Sequence, residues 1–524
     1  MGMDDQREVI AFLNSPETHG GAPVERVDTH ASLVFLAGSR ALKLKRAVSF
    51  DYLDFSTVER RRQFCEAEVR INGRTAPSVY RDVIAVTRQP DGRLALGGAG
   101  SAVEWLVDMT RFNQDRLFDR LAARGDLALD LMAPLGAEIA RFHAAAARRH
   151  DHGGHAGMAW VIDGNARDLQ TRGAGLVDPV SCVRLATKSR AVLERVGREL
   201  DARRDTGVVR QCHGDLHLRN VVLLDGSPTL FDAIEFSDEL SCVDVLYDLA
   251  FLLMDLWRRR LPRHANAAMN AYLLESPDMS GLSLLPLFLS CRAAVRAKTS
   301  VTAAQKETSP RRIEELGAQA REYVALAGKL LEPPEPRLIA IGGFSGSGKS
   351  TLSLGLAPAI GAVPGSVVLR TDEVRKRLIG VESHAPLAPA AYTAHVSQMV
   401  YGRLAHRAAA ALRSGHSVIV DGVFARSHDR AVMGDVAADA GVPFCGIWLH
   451  ADETVLLARV ASRRGDASDA KADIVRAQLA QGAGRIEWCR LDANRPSDMV
   501  RQEAETVAQR SAPVRFFTTA SDMA

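Results

Sequence analysis

Two stretches of this chain place carboxylates, an amide, glycines and a lysine at spacings that suit phosphate chemistry. The first is His213-Gly-Asp-Leu-His-Leu-Arg-Asn220, followed by Asp232 in Phe231-Asp-Ala-Ile-Glu235. Moving a phosphoryl group from MgATP to a hydroxyl needs a carboxylate beside that hydroxyl and oxygens to hold the metal. Asp215 suits the first task, accepting the hydroxyl proton. Asn220 and Asp232 suit the second as Mg²⁺ ligands; the amide lends an oxygen without adding negative charge near the phosphates. The second stretch is Gly343-Phe344-Ser345-Gly346-Ser347-Gly348-Lys349-Ser350, then Thr351, which fits G-x-x-x-x-G-K-[ST]. Its glycines let backbone N–H groups turn inward around phosphates. Lys349 reaches the β/γ oxygens and the Ser350 hydroxyl is a Mg²⁺ ligand. The helix that follows points its positive dipole end at the anion.

These residues need elements to hold them. Residues 28–49 alternate like a hairpin, with Ala31–Leu36 and Ala41–Lys45 around Ala37-Gly-Ser-Arg40. Residues 57–72 have helical spacing, and from about 128 the pattern is mostly helical, broken near 209–235 by strand-like pieces. Val221–Leu224 and Thr229–Phe231 flank an Asp225-Gly226 turn that would bring Asp232 back beside the loop. A small sheet-rich lobe before a larger helical lobe is therefore expected. The prolines of Leu331-Glu-Pro-Pro-Glu-Pro-Arg337 favour an extended connector. They set expected domains at 1–330 and 338–524, with 331–337 as linker. After the connector, strand-like runs at Leu338–Ile341, Val367–Leu369, Val418–Val420, Phe444–Leu449 and Val514–Phe517 alternate with helical stretches, which predicts a parallel sheet with covering helices. Asp372 and Asp421 fall at the C-terminal ends of two of these strands, where open α/β sheets bind ligands. An N-cap is the alternative role for each. Arg459, Arg463 and Arg464 form a basic cluster that could be brought onto a transferring phosphoryl or could be a solvated face.

The second part resembles the P-loop small-molecule and polynucleotide kinases, including the zeta-toxin-like group, through GFSGSGKST (343–351), TDEVR (371–375), VIVDGVF (418–424) and the 459–470 run. That resemblance implies that Asp372 acts on the acceptor hydroxyl, that Arg375 holds acceptor or transferring phosphate, and that Arg459 and Arg463 contact ATP. The first part resembles the aminoglycoside phosphotransferase and choline kinase-like family, whose loop reads HGDxHxxN, over about 28–300. The family implies an ATP lysine on the strand carrying Lys43 and Lys45, which share a face so that alternation cannot choose between them. It also implies a helix glutamate partner, Glu68 first and Glu66 second. Glu104–Met109 resembles the inter-lobe hinge that holds adenine, and Asp244 and Asp248 are expected to brace the catalytic loop. The implied fold class is α/β with α+β: an N-terminal bilobal, protein-kinase-like phosphotransferase domain and a C-terminal P-loop NTPase domain with a parallel β-sheet.

With 66 basic and 63 acidic residues the net charge is +3, too small an excess for a chain that lives on nucleic acid or an anionic membrane. The 47% hydrophobic content supports several cores. Seven scattered cysteines without a CxxC pair argue against a disulfide scaffold or structural zinc and for a reducing cytoplasm. The expected activity is two ATP- and Mg²⁺-dependent transfers to small hydroxylated acceptors. The alternatives are a nucleotide-sensing module that controls the other, or a polynucleotide 5′-hydroxyl kinase.

Overall fold

The computed structural model describes residues 5–50, 53–381, 385–462 and 472–510. The chain divides into two compact units: 1–174 with 189–255, and 175–188 with 256–524. These packing units do not coincide with the proline-rich seam. Residues 333–337 carry neither helix nor strand.

The first unit is built on a six-stranded antiparallel sheet. Its strands are β1 (Val24–Asp28), β2 (Ser32–Ala37), β3 (Arg40–Lys45), β4 (Tyr80–Arg88), β5 (Leu94–Leu96) and β6 (Ser101–Thr110), in the order β1-β2-β3-β6-β4-β5. The β2–β3 hairpin turns through Gly38 at φ 54°, a left-handed conformation that glycine adopts without strain. Alternation splits the sheet residues between two cores. Leu33, Phe35, Leu42, Leu44 and Leu106 pack with Val9 and Leu13 of the Arg7–Asn14 helix. On the other face Leu36, Ala41, Val107 and Met109 pack with Cys65. Cys65 belongs to helix α1 (Val58–Asn72), capped where Thr57 accepts from the Arg60 N–H. Lys43 and Lys45 alternate with Leu42 and Leu44, so both point to the α1 face. Further on, β7 (Val221–Leu224) and β8 (Ser227–Leu230) pair antiparallel around Asp225 and Gly226, both at positive φ as a tight hairpin requires.

In the second unit five parallel strands follow one another: β9 (Leu338–Gly342), β10 (Val367–Arg370), β11 (Val418–Asp421), β12 (Phe444–His450) and β13 (Cys489–Asp492). Their order is β10-β11-β9-β12-β13. The first four were expected. The fifth was not, and the expected Val514–Phe517 run lies outside the described residues. Strand β10 is a sheet edge, and an edge strand leaves backbone groups unpaired. Here the Pro262–Glu275 helix covers it. Asn270 Oδ1 accepts from the Val368 N–H at 2.7 Å, and the Nδ2 groups of Asn266 and Asn270 donate to the Ser366 carbonyl at 3.0 and 3.2 Å. Among the described residues no helix is long and apolar enough to cross a membrane, and every cysteine is a free thiol.

Candidate active sites

In the first unit the loop after the Val209–Gln211 strand carries the HGD residues. Gly214 sits at φ 81°, and backbone bonds stitch the loop to the segment after β8: Phe231 N–H to Asn220 O at 3.1 Å and Ile234 N–H to His213 O at 2.9 Å. The chain thereby returns Asp232 to the loop, as the turn reading expects. Asp248 braces it. One oxygen accepts from the Gly214 N–H at 2.8 Å, and the other from the His213 N–H and His143 Nε2, both at 3.1 Å. Cys212 also lies beside His143 and Asp248. Burial pushes its thiol well above the usual range, and both Asp248 oxygens already accept hydrogen bonds, so this trio reads as a brace and not a metal centre.

Asp244 departs from the expectation. It takes a bidentate bond from Arg203 at 2.6 and 2.9 Å instead of reaching the loop. The second brace is Asp255, which accepts from the Leu218 N–H at 3.2 Å. It lies two helical turns from Asp248 on the Val245–Arg258 helix, and that spacing was the available signal.

Asp215 and Asp232 are the partly exposed members of this cluster, at 39% and 46%. Asn220 Nδ2 donates to Asp215 Oδ2 at 3.1 Å and to the Asp215 carbonyl at 2.9 Å, leaving its amide oxygen as the atom that can face a cation. His217 Nε2 lies 3.3 Å from Asp215 Oδ2. Asp232 sits at φ 61°, an uncommon conformation for a non-glycine residue and one that clusters at functional sites. It is held there by its N–H bond to the Tyr80 hydroxyl at 3.1 Å. Burial lowers the His213 pKa, and the neutral ring donates from Nε2 to the Phe231 carbonyl at 2.9 Å.

The two lysines separate by environment. Lys43 Nζ is 2.7 Å from both Glu68 Oε1 and Asp232 Oδ1. Lys45 Nζ is 2.6 Å from Glu68 Oε2 and pairs on its other side with Glu235. Lys43 is 14% exposed and Lys45 1%, so Lys43 is the one that reaches solvent, beside Asp232. Burial works to lower the Lys43 pKa, but Asp232 and Glu68 outweigh it and hold the amine charged. Burial would likewise raise Glu68, yet the two lysines bring its carboxyl down to about 2. Burial dominates at Glu235 and raises it. Glu235 and Tyr80 were passed over in the sequence; for Glu235 the clue was its place three residues after Asp232. Glu66 is on the solvent side, paired with Arg62.

The hinge expectation is corrected. Glu104–Met109 lies inside β6, paired with β4 along one edge and, from Leu106 on, with β3 along the other, so most of its backbone is already committed. The Glu104 side chain is buried in an ion pair with Arg61 at 2.7 Å.

In the second unit the loop 343–348 runs from β9 into helix α2 (Lys349–Leu356). At Gly346, φ is 87° and a Cβ would stand 2.5 Å from the Leu456 carbonyl, so only glycine fits. Lys349 Nζ lies 3.1 Å from the Phe344 carbonyl, and the Ser345 N–H donates to Gln478 Oε1 at 2.8 Å. Phe344 packs edge-on against Trp448. The Ser350 hydroxyl donates to Asp421 Oδ2 at 2.6 Å. Asp421 closes β11 beside Ile341 of β9, and the next helix is not capped by it. A serine hydroxyl with a strand-end carboxylate is an oxygen-donor set that suits Mg²⁺. The Asn220–Asp232 set in the first unit is of the same kind.

Helix α3 (Thr371–Ile379) holds Asp372, half-buried in its first turn. Its N-cap position is Arg370, so Asp372 is not the cap. The structure does not bring Arg375 to the phosphate loop. Its guanidinium donates to the Ala391 carbonyl at 2.8 Å and lies over the Tyr392 ring. The arginine beside Ser350 is Arg370, which the sequence pattern did not single out. Arg459 donates to the Ala493 carbonyl at 2.9 Å; Arg463 lies outside the described residues.

Two family models match the chain. The model of the phosphotransferase enzyme family matches residues 113–285, and that of an AAA domain matches 338–487. Uncharacterized proteins of Mycobacterium tuberculosis (strain H37Rv) and Mycobacterium bovis are each 32% identical over 484 residues, covering 90% of this chain and 92% of theirs. Among solved structures, a choline/ethanolamine kinase family protein from Mesorhizobium loti is 16% identical over 62% of this chain and 94% of its own, with a TM-score of 0.38. A gluconokinase from Sinorhizobium meliloti 1021 is 23% identical over 33% of this chain and 93% of its own, with a TM-score of 0.25. The chain is a kinase, and it belongs with these mycobacterial proteins to one family, built from a phosphotransferase-enzyme domain followed by a nucleotide-binding P-loop domain.

Proposed function

We propose that the chain is a bifunctional ATP-dependent phosphotransferase, with modules at 1–330 and 338–524 joined by 331–337. Each module passes the γ-phosphoryl of ATP to a hydroxyl of a small molecule. In the first, Lys43 takes the nucleotide phosphates and Glu68 fixes its direction. Asn220 and Asp232 hold Mg²⁺, and Asp215 accepts the acceptor's proton. In the second, the 343–351 loop cradles the phosphates with Lys349, while Ser350 and Asp421 hold Mg²⁺. Asp372 serves the acceptor hydroxyl, Arg375 shapes the acceptor side through the 391–397 segment, and Arg459 and Arg463 lie on the ATP side. Bound by these residues, Mg²⁺ would supply the positive charge that offsets the charge developing on the transferring phosphoryl. A cytoplasmic setting, with ATP at hand and thiols reduced, is part of this reading.

The observation that carries the proposal is that Asp215 with Asn220, and Asp232 with Lys43, are brought together by the bond from the Phe231 N–H to the Asn220 carbonyl, with only Asp215 and Asp232 of the four substantially exposed. The test compares Asp215→Asn with Asp232→Ala in a Lys349→Ala background, across sugars, aminoglycosides, choline-like alcohols, nucleosides and oligonucleotides. Asp215→Asn keeps MgATP affinity and loses about 10²–10⁴-fold in turnover, the usual worth of a general base. Asp232→Ala loses Mg²⁺-dependent nucleotide binding as well. Full turnover by Asp215→Asn would refute the assignment of the first module.

A further inference from the structure

The parallel register sets Arg370 directly beside Asp421 at the C-terminal ends of β10 and β11, and Asp421 in turn beside Ile341, just before the phosphate loop. The Arg370 guanidinium lies 3.0 Å from the Ser350 hydroxyl, 3.5 Å from Asp421 Oδ2 and 3.0 Å from Glu373 Oε1. Its side chain is 10% exposed, so it reaches this point through protein and not through solvent. Glu373 is one turn along α3 and tethers the fork from behind. Burial raises the Glu373 carboxyl while Arg370 opposes the rise.

We propose that Arg370 is a phosphate-reading residue of the second site, contacting the terminal phosphoryl of the bound nucleoside triphosphate. This rests on the nucleotide-site reading above and deepens it. The Ser350 hydroxyl marks the β/γ end of a phosphate chain lying in the loop. A guanidinium within hydrogen-bond reach of that hydroxyl lies at the same end. Arginine's planar fork suits two phosphoryl oxygens at once, which a lysine's point charge does not. Lys349 comes from the loop and Arg370 from the neighbouring strand end, so the two cations approach from different elements. Arg375, with its head on Ala391 and Tyr392, does not share this role.

The test uses the full chain carrying Asp232→Ala, so that the first site does not bind nucleotide. Calorimetric affinities are measured for MgADP and for the Mg²⁺ complex of a non-hydrolysable ATP analogue, in this parent and with Arg370→Met, Arg370→Lys or Arg375→Met added. Melting temperature is followed for each. Arg370→Met should weaken the triphosphate analogue by about 10–100-fold, the worth of a charge-assisted hydrogen bond, and ADP by less than about 3-fold. Arg370→Lys should fall between, and Arg375→Met should leave the ratio of the two affinities unchanged. An equal fall for both nucleotides, or no fall, would overturn the proposal; an equal fall means that Arg370 only steadies Asp421 and Ser350. If Arg370→Met does not fold, an unchanged ratio in Arg370→Lys overturns it. Failure of the parent to bind either nucleotide, or binding that survives added Lys349→Ala, would instead refute the nucleotide-site reading and this inference with it.

Discussion

Each proposed site gathers carboxylates near the place of a divalent cation, and each balances them with basic side chains of its own. They differ in how many and how deeply. In the first unit Lys43 and Lys45 interleave with Glu68, Asp232 and Glu235, and three of these five side chains are within about 6% of full burial. In the second, a single guanidinium, Arg370, meets Asp421, Glu373 and the Ser350 hydroxyl. A buried chain of ion pairs cannot lose one member cheaply, because the partner left behind is a charge without solvent. A single arginine shared by Asp421 and Glu373, which are 5% and 21% exposed, makes a shorter chain of pairs with fewer partners to strand. The first site therefore ties nucleotide chemistry to the folding of its lobe, whereas the second can lose affinity and stay folded.

The largest effect that would sharpen this contrast is at Lys45. Lys45→Met should destabilise the first unit by about 3–5 kcal/mol, since Glu235 and Glu68 lose a buried partner, as a denaturant melt would show. Lys43→Met should cost less stability and more nucleotide affinity, because Lys43 is partly exposed and touches Asp232. Equal effects of the two on both readouts would break the distinction between them.

A middle effect is expected at the edge of the second sheet. Asn270→Ala leaves the buried Val368 N–H without its acceptor, which costs about 1–3 kcal/mol. For the same reason a fragment beginning at 338 should melt lower than one beginning at 256. Equal melting of the two fragments would show that the Pro262–Glu275 helix contributes little to this sheet.

The smallest effect is a difference in pH response. Glu68 is brought from 4.5 to about 2 in the folded chain, so its contribution is full above pH 4.5 and is lost as pH falls from about 4.5 to 2. His416 of the second unit is fully buried, and burial takes it from 6.5 to about 4. Below pH 6.5 the unfolded chain takes up a proton that the folded one refuses, so stability is lost as pH falls from about 6.5 to 4. His416→Leu should flatten that window, and Glu68→Gln should flatten only the lower one. An unchanged slope between pH 6.5 and 4 in His416→Leu would contradict the burial assignment.

Much of this was legible in the chain itself. The HGD loop, Asp232 beyond a hairpin, the glycine-rich loop after a strand and four of the five parallel strands follow from spacing and turn chemistry. The rest depended on what tertiary neighbours decide. Alternation put Lys43 and Lys45 on one face, and only the positions of Glu235 and Asp232 told them apart. The T-D-E-V-R run drew attention to Arg375, but the register between β10 and β11 sets Arg370 beside Asp421. Glu104–Met109 looked like a hinge because nothing local reveals that it lies inside a strand, with Leu106–Met109 paired on both edges. Asn266 and Asn270, among alanines, carry no sequence sign of their role, which depends on β10 being a sheet edge. Strand β13 is four residues long with charge at Arg490 and Asp492, too little apolar alternation to stand out.

Two working kinase sites on one chain is the central claim, and transfer with each site silenced in turn tests it most directly. Phosphoryl transfer from ATP is measured over the hydroxylated-acceptor panel for the full chain, for Asp215→Asn, for Lys349→Ala and for the double variant. The account predicts that each single variant loses a different subset of phosphorylated acceptors and that the double variant loses all transfer. If either single variant abolishes every transfer that the intact chain performs on every acceptor, or leaves every one intact, the chain has one catalytic site and not two.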